Sequence, residues 1–366
     1  DCGKLGLLEP HVEPGAVEHI PQQVAMVEAL VAKGHAYASE DGSVYFKISS
    51  FPGYGKLSHL DTRELDLGKT QNARANADEY EKDSLSDFVL WKARRPEDGD
   101  NFWPSPWGEG RPGWHLECSA MIQEYLGDTF DLHSGGVDLV FPHHENEMAQ
   151  SACACGGDFA KHWYHITHLL VDGGKMSKSL GNLYTLEDLE KKGYSAMEVR
   201  YVLIGGHYRK QLNFTLDSLG AAREALGKLA KGARKLAENI GIDSITLDNA
   251  DFGPFQPAWD SLNADLNTPA AIGHLFTGLK ESAGLNGKDA ARALAGFNRV
   301  LRALGLVLPQ EEASAEIPAV VQELAARRWQ ARLNKDWAGS DNLRDELKAK
   351  GWAMKDGKEG YTVEPI

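Results

Sequence analysis

The chain has 366 residues, 42% of them hydrophobic and 25% charged, with a formal net charge of −14. That length suits about two to four domains, no apolar run approaches the roughly 18–20 residues of a bilayer span, and the negative balance argues against a protein that coats nucleic acid indiscriminately, local basic patches aside. Four scattered cysteines make no disulfide framework and Asp1 to Lys4 lack a charged-then-apolar signal pattern, so a reducing cytoplasm is the expected setting.

Glu18-His19-Ile20-Pro21 reads as a helix opening, with Pro21 suited to the first turn. Val24, Val27, Leu30 and Val31 supply an apolar stripe and Gly34 the stop. Val44, Phe46 and Ile48 alternate with Tyr45 and Lys47, the pattern of a half-buried strand. The stretch to about Gly110 is rich in Gly, Pro and Trp and reads as an inserted subdomain. From Trp114 to about His168 helical and strand-like pieces alternate: Asp131–Gly136 is a strand end entering a glycine turn, and Phe141–Ser151 a helix. This is the rhythm of a parallel sheet, whose ligands gather at the carboxyl ends of strands.

After Phe214 the chain turns helical. Leu219, Leu226, Leu229, Ala233 and Leu236 mark one stripe ending at Gly241, and Thr268-Pro269 supplies a cap and first residue for another helix. Glu311–Ile317 reads as a linker. A last helical unit carries Leu333/Trp337 and Leu343/Leu347 as i,i+4 pairs, with Gly351 as the stop. Arg327, Arg328, Arg332 and Lys335 form a basic patch there. The spacing of Trp329 and Trp337 fits core packing better than stacking on bases.

Two stretches carry chemistry. Lys175-Met176-Ser177-Lys178-Ser179 lies between glycines that make a loop, and its lysines suit a polyphosphate as flexible point charges. His143 and Glu147 lie four apart on the predicted helix, hence on one face, and Cys118 offers a thiol from a separate segment. Sulfur, nitrogen and oxygen donors together fit zinc. Spacing alone leaves open a buried cysteine beside a surface helix pair, and leaves His144 open as the ligand instead. Cys153 and Cys155 read as idle thiols.

The lysine loop, with Gly113–Met121 and His133–Ser151, resembles cysteinyl-tRNA synthetase, a class I aminoacyl-tRNA synthetase, over nearly the whole chain. The resemblance implies an α/β fold: a Rossmann-like nucleotide-binding catalytic domain with an insertion, then a helical bundle and a small C-terminal anticodon-binding domain. Its expected divisions are 1–20 as the end of the first catalytic half, 21–105 as the connective insertion and 106–168 as the second catalytic half with the zinc ligands. The lysine loop and stem-contact region would take 169–218, the bundle 219–310 and the anticodon domain 318–366.

The implied reaction joins L-cysteine and ATP into cysteinyl-adenylate, then passes the cysteinyl group to tRNA(Cys), with Mg2+ accompanying ATP. Lys178 would clamp the phosphates, supported by Lys175. Gly135 and Gly136 would let the nucleotide approach, Asp138 would accept from a ribose hydroxyl, and Trp114 would wall the amino-acid pocket. Cys118, His143 and Glu147 would bind Zn2+ with an earlier cysteine that this sequence lacks; Cys2 lies outside the matching position. Zinc would select thiolate over hydroxyl where pocket shape is worth only roughly 10–200-fold.

The family's His-Ile-Gly-His motif has no equivalent in these residues, which points to a fragment with little ATP–pyrophosphate exchange of its own. Relatives that hand cysteine to a small amine lack the end that Gln322–Tyr361 matches. A binding module without catalysis is the other alternative.

Overall fold

A computed structural model describes residues 1–59, 87–177, 181–240, 251–310, 317–357 and 360–365. They divide into two compact units, Asp1–Val307 and Leu308–Ile366.

In the first unit, helix α1 (Ile20–Ala32) begins one turn after Val17, with Pro21 in its first turn. Proline fits there because its missing N–H would be unpaired anyway. Val27 and Leu30 are fully buried, each such side chain stabilising the fold by roughly 1.5–3 kcal/mol. Strands β1 (Ala36–Ala38), β2 (Val44–Phe46), β3 (Phe88–Ala93) and β4 (Gly110–Pro112) form an antiparallel sheet in that order. The strand predicted through Ile48 ends at Phe46, and Ile48 opens a 3-10 turn.

Helix α2 (Trp114–Leu126) leaves this sheet directly. Gly113 makes the close approach possible: its N–H donates to the Leu90 carbonyl at 2.8 Å, and a Cβ there would lie 2.2 Å from the Val89 oxygen. β5 (Phe130–Gly136) and β6 (Ala160–Ile166) pair in parallel, connected through helix α3 (Glu145–Cys155). The predicted helix over 141–151 therefore starts later: Phe141 is extended, and Val140–His144 form a wider π-type turn. Leu116 of α2 and Ala149 of α3 join the core shared by α1 and the β1–β4 sheet, so these helices and the sheet share one core.

Beyond β6, strands β7 (Leu169–Val171) and β8 (Gly174–Lys175) make a hairpin, and β9 (Leu212–Phe214) pairs with β7 in parallel. Asp172 and Gly173 both have positive φ, the signature of a tight Asp-Gly hairpin turn. Helices α4 (Leu186–Lys191) and α5 (Ala196–Ile204) start at capping boxes, Thr185 with Asp188 and Ser195 with Glu198. Long α6 (Leu216–Glu238) buries Leu219, Leu226, Leu229 and Leu236 as the stripe requires; the expected stop at Gly241 lies outside the described residues. α7 (Gln256–Asn263), α8 (Thr268–Glu281) and α9 (Gly287–Leu304) complete the bundle. The α8 cap is Asn267, whose side chain accepts from the Ala270 N–H; Thr268 is already helical.

In the second unit, α10 (Ala319–Leu333) and α11 (Trp337–Ala349) are followed by a hairpin of β10 (Trp352–Asp356) and β11 (Tyr361–Pro365). The expected linker lies almost wholly outside the described residues. Leu343 and Leu347 pack in the core with Trp352. The expected Leu333/Trp337 pair fails, because the chain breaks helix between them and Lys335 turns to positive φ. Trp337 is 58% exposed, and Trp329 lies half-buried against Tyr361. The basic patch is partly internal: Arg328 is buried and forks onto Asp356 at 2.8 and 3.2 Å, and Arg332 reaches the same carboxylate at 3.1 Å.

Candidate active site

Three segments meet between α2 and α3. The first turn of α2 brings Trp114, His115 and Cys118; the turn into α3 brings His143 and His144; α3 itself brings Glu147. Gln150 ties the helices together, its amide donating to the His115 carbonyl at 2.5 Å and to the Ser119 hydroxyl at 2.7 Å. Glu145, wholly buried, accepts from the N–H groups of Gly55 and Ser58 at 2.7 and 2.8 Å and so holds the insertion against the start of α3.

The donor atoms of Cys118, His143 and Glu147 all lie within 4.8 Å of one another. Glu147 is fully buried. Burial works to raise its pKa, but the hydrogen bonds and charge of His133 and His143 together outweigh this and hold it at about 2. It is therefore an anion at neutral pH. Its Oε2 pairs with His133 Nε2 at 2.6 Å. Its Oε1 pairs with His143 Nε2 at 2.9 Å. A carboxylate this buried is kept ionised only by such partners, and a cation among the same donors would hold it in the same way.

The other ring nitrogen of His143 is fixed by His115, Nδ1 to Nδ1 at 2.9 Å. A histidine held at one nitrogen and presenting the other is the usual arrangement behind a metal ligand. Burial raises the Cys118 thiol to about 12, helped by the neighbouring Glu147 charge, so without a cation it stays protonated. The donor set suits zinc in type and separation. A second set, His133, His144 and Glu147, shares the same carboxylate. His144 also bonds His165, Nδ1 to Nε2 at 2.8 Å, and burial lowers its pKa to about 4.

Trp114 is 49% exposed and stacks on His143 with centroids 4.3 Å apart, so it lines the site and is not a core tryptophan. Gly135 and Gly136 end β5. A Cβ at Gly135 would meet the His144 ring at 2.7 Å, and one at Gly136 would meet Asp138 Oδ1 at 2.3 Å. Close packing against the His144 ring thus demands glycine at 135, whereas at 136 the neighbour is the end of the exposed Asp138 side chain. Asp138 is half-exposed, its Oδ1 4.0 Å from His168 Nδ1. Lys175 is exposed at the end of β8, whereas Lys178 lies outside the described residues. Cys2 is exposed, Cys153 is in the core, and Cys155 lies near Gln123; none joins a metal-competent group among the described residues.

Sequence reasoning missed His115, His133, His165 and Glu145. His133 stood beside the glycine pair and His115 within the cysteine segment, but only the fold brings them to the ligands.

The profile of the tRNA synthetases class I (C) catalytic domain matches residues 1–224. The chain is 53% identical to the cysteine–tRNA ligase of Opitutus terrae over all of this chain and 77% of that protein. It is 44% identical to that of Chlamydia muridarum, again over all of this chain and 79% of that protein. With the cysteine–tRNA ligase of Alkalilimnicola ehrlichii the identity is 43%, over 99% of this chain and 78% of the relative. A catalytic-domain match through the sulfur-bearing site and the hairpin of Lys175, with likeness to these ligases along essentially the whole of this chain, makes it a member of the cysteine–tRNA ligase family of class I aminoacyl-tRNA synthetases.

Proposed function

We propose that this protein activates L-cysteine with ATP to cysteinyl-adenylate and transfers the cysteinyl group to tRNA(Cys) in the cytoplasm, with Zn2+ selecting the substrate by its thiolate. The observation that carries this is the Cys118, His143 and Glu147 cluster, its donor atoms within 4.8 Å of one another around a fully buried, ionised carboxylate. These three residues would hold the zinc, and three protein donors leave a position for a further ligand. Bound there, zinc supplies a preference for soft sulfur over a hydroxyl that barely ionises.

The remaining residues bind and orient. His115 and His133 fix the ligand side chains. Trp114 walls the amino-acid pocket on the His143 side. Asp138 accepts from a ribose hydroxyl, beside a strand end kept slim by Gly135 and Gly136. Lys175 and Lys178 offset charge that builds on the leaving phosphates of ATP, which enters with Mg2+. In the second unit, exposed Trp337, with the Arg332 guanidinium 5.9 Å from its ring, serves the anticodon by stacking and phosphate attraction. No described helix is long and apolar enough to cross a membrane.

The test is tRNA charging by the complete gene product, since a His-Ile-Gly-His segment does not occur in these 366 residues. Charging of tRNA(Cys) with cysteine and not serine, lost on chelation and restored by zinc, is expected. Cysteine transfer to a small amine in place of tRNA would overturn the reading.

A further inference from the structure

The β7–β8 hairpin that presents Lys175 is held at both ends by asparagine side chains. At the turn, the Asp172 N–H donates to the Phe214 carbonyl at 3.0 Å and the Gly173 N–H donates to Asn213 Oδ1 at 2.7 Å. Beyond β8, Asn182 folds back over the hairpin. Its Oδ1 accepts from the Ser177 N–H at 2.9 Å. Its Nδ2 donates to the Lys175 carbonyl at 3.1 Å and reaches the Val171 carbonyl at 3.5 Å. One carboxamide thus spans both strands of the hairpin and the residue two beyond Lys175.

The residue type matters. The task needs one acceptor and two N–H donors in a plane, which asparagine supplies and aspartate does not. β8 has only two residues, so its ladder alone fixes the lysine weakly. Lysine is a flexible point charge, and its usefulness to a developing phosphate charge depends on where its backbone is anchored.

We propose that Asn182 is a positioning residue for ATP, acting through the backbone of Lys175 and Ser177. This rests on the reading of the lysine segment as the phosphate site. The role is distinct from that of the metal cluster, so it moves one substrate and not the other.

The experiment is cysteine-dependent ATP–pyrophosphate exchange by the complete gene product, comparing wild type, Asn182→Ala and Asn182→Asp, with thermal unfolding of each. Asn182→Ala is expected to raise KM for ATP about tenfold while KM for cysteine stays within about twofold. Asn182→Asp keeps the acceptor for Ser177 and is expected to fall between. An unchanged KM for ATP in active Asn182→Ala overturns the assignment and leaves the proposed function standing. A parallel rise of both constants with a lowered unfolding temperature marks a merely structural residue and also overturns it. No exchange by wild type overturns the function and this role together.

Discussion

The Trp114 indole lies over the His143 imidazole, ring centroids 4.3 Å apart and planes 26° from parallel. The stack and the His115 bond leave His143 one orientation, with Nε2 facing Glu147. Because the indole is half-exposed, it contributes more to the shape of the site than to the core. Trp114→Ala should cost only about 1 kcal/mol of stability, and should raise KM for cysteine roughly tenfold with little change for ATP. Unfolding midpoints and the two KM values from exchange kinetics check this.

Glu147 belongs to two candidate donor sets, and metal analysis separates them. If Cys118, His143 and Glu147 bind the zinc, the purified protein carries about one zinc per chain, and Cys118→Ala lowers affinity by well over tenfold. Asn in place of His144 then retains the metal, because His144 lies only in the other set. Loss on His144→Asn with retention in Cys118→Ala would assign the ion to His133, His144 and Glu147. Ligation also requires the thiolate of a group held near 12, so zinc uptake at neutral pH should release a proton, measurable in a weakly buffered titration.

The metal-free protein should lose stability in two successive, slightly overlapping pH windows. His144 titrates in the folded state at about 4, chiefly because it is buried, against an ordinary 6.5. Between those values the unfolded chain binds a proton that the folded chain refuses. Stability therefore falls as pH drops through that window, by about 3 kcal/mol at most. Glu147, held at about 2 against an ordinary 4.5, adds its loss only below the ordinary value. Urea unfolding of chelator-treated protein between pH 7 and pH 4 should show the first decline, and His144→Asn should flatten it.

Periodicity made α1, α6 and the second-unit helices legible, since each buries a stripe such as Val27 with Leu30 or Leu343 with Leu347. The proximity of His143 to Glu147 was legible because residues four apart share a helix face. What stayed hidden depends on long-range contact. Nothing local to Glu145 signals that Gly55 and Ser58 will bond to it across the insertion. The β10–β11 hairpin escaped notice because its strands are short and mixed in polarity. Trp337 was expected inward on helical spacing, but positive φ at Lys335 resets the phase just before it.

The glycines beside the site give a last test, because they differ in reason from glycines elsewhere. A Cβ at Gly135 would lie 2.7 Å from the His144 ring and 2.9 Å from Leu139, and that ring is pinned by His165. The His144 ring cannot yield without loosening its bond to His165. Gly135→Ala should therefore destabilise by roughly 1–3 kcal/mol through overpacking. Gly273, inside α8, has open space where its Cβ would be. There Ala removes only backbone freedom from the unfolded chain and should stabilise by about 0.5–1 kcal/mol. Opposite signs for the same substitution, read by denaturant unfolding, would tie Gly135 to the packing of His144; equal effects would mean that β5 can shift to accommodate the methyl group.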